Sequence, residues 1–244
     1  MEHYHFEEWV EGQSKLNVLV EVGSVEIQPG SSDVITIEAE ARHMNVTVSR
    51  NERTLYVRAE RDEAWRNEPR KMRWLFGDDN PRAHLTIHAP IECQLQVKVI
   101  TGQLSIRGVA APVTTRVITG RTTLEDLKGP ICAKTVTGNI SYQGSLVKDN
   151  HRFEATTGRI LLSLSEIPDA QLDARTTTGR IRCSLPLTAK TGEPRRGLGS
   201  RLTGTLGSGE GHIAARIVTG SLQLENVWKS TTGTEHSRKS PVDL

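Results

Sequence analysis

The chain has 244 residues, with 31 Lys and Arg against 29 Asp and Glu, a net charge of +2, and 4% aromatic residues. So even a balance gives no global field towards nucleic acid or an anionic membrane, and so few rings disfavour a base-stacking platform. Three widely spaced cysteines, Cys93, Cys132 and Cys183, form no CxxC pair and read as small buried thiols among strand positions.

In chain order, Met1 to Trp9 is acidic and lacks the apolar stretch of a signal peptide. No apolar run approaches the roughly 18 residues of a membrane span, so a cytoplasmic location is expected. Residues 16–28 alternate after Val18 and contain Val22-Gly23-Ser24-Val25-Glu26-Ile27, the first rung of a repeat that becomes regular later. Pro29-Gly30 ends it with a turn. Val34–Ala41, Met44–Ser49 and Thr54–Ala59 read as strands, with Asn51-Glu52 at a hairpin tip. Glu60 to Arg82 is dense in charge and carries Pro69, Gly77 and Pro81, yet also Trp65, Trp74 and Phe76. It reads as an excursion loop with a helical turn around Arg70–Phe76, and its aromatics as a contact site for a partner protein. Capping of one end of the core is the alternative; deleting Glu63–Pro81 would leave the first kind of protein folded and destabilise the second. His84–Ala89 resumes the strand alternation.

From Ile91 to Val227 a repeat governs. Val99-Ile100-Thr101-Gly102, Val117-Ile118-Thr119-Gly120 and Thr135-Val136-Thr137-Gly138 are spaced 18 residues apart, glycine to glycine. Gly158 and Gly179 follow at steps of 20 and 21, and Val218-Thr219-Gly220 after a longer gap. A period near twenty is the mark of a stacked architecture. Two and four residues after the glycine the side chains are mostly apolar: Leu104 and Ile106, Ile140 and Tyr142, Ile160 and Leu162, Ile181 and Cys183, Leu222 and Leu224. Thr122 before Leu124 fits this pattern less well. Each repeat is thus strand, glycine corner, strand and turn, and no single repeat can bury its own apolar face. The expected fold is all-β, a single β-solenoid of about 18–21-residue rungs spanning residues 1–228. Residues 1–90 form its less regular N-terminal part, 91–228 the regular repeats, and 229–244 a polar, disordered tail.

Four residues before the glycine lie Lys98, Arg116, Lys134, Glu154, Arg175 and Arg216, and just after it Arg121, Arg159 and Arg180. Neighbouring cations in such a column repel by roughly 0.8 kcal/mol at ~5 Å in water. That is tolerable as a solvated face balanced by Glu154, Glu125 and Asp126, or it marks weak binding of an anionic polymer such as an acidic polysaccharide. The threonines before each glycine are expected to bond the backbone or the next rung; an ice-binding array is disfavoured by the uneven steps. Ile100, Ile118, Val136 and Val218 share the basic side by parity; the corner is expected to rotate them inward, with an exposed dimer stripe as the alternative.

Catalytic motifs are wanting. The glycine-rich stretch Gly204–Gly211 lacks a following Gly-Lys-Ser/Thr and reads as a long decorated turn. His3-x-His5 and His84-x3-His88 each lack a third ligand nearby in sequence, and acidic residues collect at no register position. No cofactor or metal is expected.

The alternation around Val22–Ile27, the segment Ile91–Ile106 and the recurrent Thr-Gly corner resemble a bacterial family labelled "putative adhesin", a β-strand-repeat domain of unknown function. Gly207-Ser208-Gly209-Glu210-Gly211-His212-Ile213 through Leu222 is similar to that family's final repeat, and the likeness covers about residues 10–228. The resemblance implies a β-solenoid, often in an envelope or membrane-tethered context, with no established activity and no defined site residues. The expected function is a non-catalytic scaffold or binding module; a carbohydrate-active or polyanion-binding β-helix protein is the alternative.

Overall fold

A computed structural model describes residues 1–10, 14–63, 80–191 and 199–227. The aromatics Trp65, Trp74 and Phe76, the helical turn expected around Arg70–Phe76 and the expected tail lie outside the described residues. The described chain is all-β. Its strands are β1 (Glu2–Trp9), β2 (Lys15–Pro29), β3 (Val34–Arg42), β4 (Met44–Asn51), β5 (Thr54–Arg61), β6 (Arg82–Ala89) and β7 (Gln94–Arg107). Then come β8 (Val113–Glu125), β9 (Ile131–Gly144), β10 (Asn150–Leu164), β11 (Ala170–Cys183), β12 (Thr188–Thr191), β13 (Ser200–Leu206) and β14 (Gly211–Asn226).

Each rung is one long bent strand whose two arms meet at the repeat glycine. β7, β8, β9 and β10 pair in parallel and in register, so that Gly102, Gly120, Gly138 and Gly158 stack directly. The bend demands glycine for two reasons. Gly120 adopts φ +147°, where a side chain is strained, and a Cβ there would lie 1.7 Å from the carbonyl oxygen of Gly102. The same approach recurs up the column, at 1.7 Å for Gly138 against Gly120. A glycine on every rung is therefore what lets bent strands stack at the ordinary strand spacing of about 4.8 Å.

The stacking order differs from the chain order. β14 lies between β10 and β11, pairing Gly220 with Gly158 on one side and with Gly179 on the other. Consecutive copies at Gly158 and Gly179 are thus not neighbours. β13 runs antiparallel to β11 and takes the outer edge of its first arm, Ala170–Thr176, which leaves one edge of that arm open to a parallel rung. The last rung, β14, occupies that edge. The expected decorated turn over Gly204–Gly211 is corrected accordingly, since Ser200–Leu206 is a strand.

At the other end the first rung is where the sequence places it, with Gly23 on Gly102. The far edge of β2 is covered by a split rung, β5 along Lys15–Val20 and β6 along Gly23–Pro29. The excursion leaves and re-enters at the corner of that rung. β4 and β5 form the expected hairpin, while β3 and β1 add antiparallel strands beyond β6.

Inward positions alternate along both arms and form one apolar core. Rungs complement each other in size: buried Phe153 stands in register between Ala133 and Ala215, and its ring packs at 6.0 Å against buried Tyr142. The Tyr142 hydroxyl donates to the Ser145 carbonyl at 2.6 Å, which satisfies the one polar atom that ring buries. All three cysteines are free; Cys93 is buried, but Cys132 and Cys183 are only half-buried, because Cys132 occupies an outward position and Cys183 lies on the end rung.

Candidate binding face

In-register pairing turns the position four before each glycine into a continuous row across the sheet. It reads Leu19, Lys98, Arg116, Lys134, Glu154, Arg216, Arg175 and Arg201 on β2, β7, β8, β9, β10, β14, β11 and β13. Parity sends these side chains outward while Val97, Val99 and their equivalents fill the core. From β8 to β13 this row lines a trough of about 1490 Å³. Of the basic residues expected from the sequence, Arg116, Lys134, Arg175 and Arg216 line it. Lys98 continues the row beyond it, and Arg201 is added from β13, whose strand character the sequence reading missed.

Arg121, Arg159 and Arg180 do not join this face. They lie on the far arm, in register with Asn139 and Ser221, so that a neutral residue separates each from the next.

Charge along the trough is uneven. Glu154 bridges Lys134 and Arg152, at 3.0 Å to each. Asp173 accepts two hydrogen bonds from Arg175, at 2.8 and 2.7 Å, and stands 3.6 Å from Arg201. Burial would push the Asp173 carboxyl up; the Arg175 hydrogen bonds and the charges of Arg175, Arg201 and Arg216 outweigh it and hold the group below the ordinary carboxylate range. Glu125, expected to balance the column, instead pairs with Arg107 at 2.9 Å on the other arm. Among the described residues, Lys98 and Arg116 stand in no ion pair, and Arg216 feels Asp173 without contacting it.

Beside the charges runs a β-branched strip. Val136 is 40% exposed and Val218 48%, while Ile100 and Ile118 are half-buried, so the corner does not turn this position fully inward as expected and leaves its aliphatic side chain open only on β9 and β14. With Thr156 and Thr177 these valines line the trough on β9, β10, β14 and β11. The threonines one residue before each glycine are exposed on every rung from Thr101 to Thr219, instead of being turned to the backbone.

Elsewhere, the two histidine motifs come together across the N-terminal strands: His3 stands opposite Glu40, and Glu40 opposite His84. Among the described residues, no three His, Cys, Asp or Glu side chains are grouped to hold a metal ion. No helix among them is long and apolar enough to cross a membrane.

The profile of the Toastrack DUF4097 family matches residues 84–225, from β6 to β14. The fold is similar to the crystal structure of a putative cell adhesion protein from Clostridium sporogenes, at 10% identity and TM-score 0.52, over 92% of this chain and 100% of that one. A putative adhesin from Bacteroides fragilis matches at 10% identity and TM-score 0.37, over 93% of this chain and 97% of that one. At such identity the first likeness speaks for the fold alone. No curated protein matches the sequence.

Proposed function

Since the chain belongs to the Toastrack DUF4097 family, an adhesin-like domain of unknown function, we propose from its geometry that it is a non-catalytic, β-solenoid-like binding module. Its binding face is the trough, and its partner is anionic. The observation that carries this reading is the excess of cations, since Arg116, Lys134, Arg175, Arg201 and Arg216 line the trough against Glu154 in the lining and Asp173 paired with Arg175 and Arg201. Hydrolysis of a glycosidic bond calls for a pair of carboxyl groups, one of them protonated; here Glu154 and Asp173 are each tied up in ion pairs with arginine or lysine, which supports binding instead. The cations fall in two groups on adjacent strands about 4.8 Å apart, Arg116 with Lys134 and Arg216 with Arg175 and Arg201, so within each group one raises the local potential felt by an anion at its neighbours. Three free thiols fit a cytoplasmic setting.

Titration calorimetry with polygalacturonate in low salt tests the proposal. Binding should weaken at least about tenfold between 0.05 and 0.5 M salt, and again in the Arg116→Glu/Arg216→Glu double variant. Absence of binding, or binding indifferent to both salt and charge reversal, overturns it.

A further inference from the structure

The order of charges across the trough restricts what the partner can be. Reading from β8, Arg116 and Lys134 come first, Glu154 follows on β10, and Arg216, Arg175 and Arg201 follow on β14, β11 and β13. This order exists because β14 inserts between β10 and β11; without it, Arg175 would abut Glu154. The two least neutralised cations, Arg116 and Arg216, consequently stand three strand spacings apart, about 14 Å, on opposite sides of a carboxylate. A small acid can reach one of them, whereas only an extended chain can reach both.

We infer, building on the proposed anionic partner, that it is a linear acidic polysaccharide lying across the strands along the stack. It spans β8 to β13, five spacings or about 24 Å. Three observations fit that class. In-register pairing presents the row at a constant repeat, which a ligand with evenly placed carboxylates follows along its length. The flanking strip, Val136, Thr156, Val218 and Thr177, alternates methyl and hydroxyl surface beside the charges, as a sugar chain with C–H and O–H groups requires. The trough floor is also a sheet face, whose backbone groups are committed to neighbouring strands, so it offers an extended peptide no edge to pair with.

Size-defined oligogalacturonates titrated into the full chain test this. Affinity should rise at least about tenfold from the dimer to oligomers as long as the trough, then level off. Glu154→Gln, which removes the carboxylate at the midpoint, should tighten binding of the long oligomers several-fold. If long oligomers do not bind at all, the anionic reading above falls. If they bind but dimers bind as tightly, that reading stands and the spanning geometry falls. If polyglutamate of matched length and charge binds equally well, the polysaccharide class falls.

Discussion

An interior rung and the end rung share a sequence pattern but not a surrounding. β8 is paired along both arms, by β7 on one side and β9 on the other, and Val117, Thr122 and Leu124 are all buried. β11 has a strand on each side only as far as Thr176; from Thr178 to Cys183, β14 alone pairs with it among the described residues. Ala174 and Thr176 are accordingly buried, while Ile181 and Cys183, two and four after the glycine, are only partly so. The opposite end is closed differently: β5 and β6 cover both arms of β2, and Val18, Val20, Val25 and Ile27 are fully buried. In a stack, burial comes from the neighbours, not from the rung's own sequence.

The glycine column gives the most disruptive way to break this comparison. Gly120→Ala puts a methyl 1.7 Å from the Gly102 carbonyl oxygen, in a rung held from both sides. Neither rung can move without unstacking others, so the loss should reach about 4 kcal/mol or prevent folding. Gly179→Ala makes the same clash, 1.8 Å from the Gly220 oxygen, but its arm can swing outward; about 1–2 kcal/mol is expected. Urea denaturation of the two variants measures the difference, and equal losses would mean that the end rung is as firmly held as the middle. Just below Gly120→Ala stands Phe153→Ala, which empties a fully buried site flanked by Ala133 and Ala215 and should cost about 3 kcal/mol. Ile181→Ala, at the partly open end, should cost about 1 kcal/mol, because much of that side chain gains little from burial.

The same contrast explains what could be read from the residues alone. Rung identity was legible because the bend needs glycine and each arm alternates, so Gly102, Gly120, Gly138, Gly158, Gly179 and Gly220 announce themselves, and Gly23 with them. Rung order was not legible. Every rung carries the same register signal, so nothing in β14 itself shows that it will stand between β10 and β11. β13, Ser200–Leu206, hides its alternation behind Gly204 and a glycine-rich flank. β1 hides its own because its half-buried face carries Tyr4 and Phe6 between Glu2 and Glu8, so the apolar alternation is only two residues long. The basic row was visible as a column, but the Asp173 that quiets part of it and the Arg201 that extends it come together only through pairing.

A pH experiment sharpens the comparison at β10, next to the inserted strand. His151 is 1% exposed; its Nε2–H donates to the Val147 carbonyl at 2.9 Å, and its Nδ1 has no partner. Burial pulls its pKa below the usual value, with the Val147 hydrogen bond and the Asp149 charge pulling the other way. At neutral pH the folded ring is therefore uncharged, and its penalty is absent above the unfolded value of about 6.5. As pH falls from there through the folded pKa, the unfolded chain binds the proton more readily and stability is lost. Urea midpoints at pH 7.5 and 5 should fall further apart in the native protein than in His151→Gln. The same spacing in both would show that His151 opens to solvent before it titrates.

The smallest effect is a gain. Thr122 occupies the slot two after the glycine, in register with Leu104 and Ile140, and is 1% exposed with no partner for its hydroxyl. A hydroxyl buried without a hydrogen bond costs about 1–3 kcal/mol, while the branched shape itself suits the strand. Thr122→Val keeps the shape and removes the cost, so stability should rise by up to about 1 kcal/mol. Thr176→Val, 6% exposed on the end rung, should gain less, since water reaches that edge more easily. The ranking matters more than either value: if Thr122→Val loses stability, its hydroxyl is bonded in solution, and the interior slots are not sealed by their neighbours as the end-to-middle contrast requires.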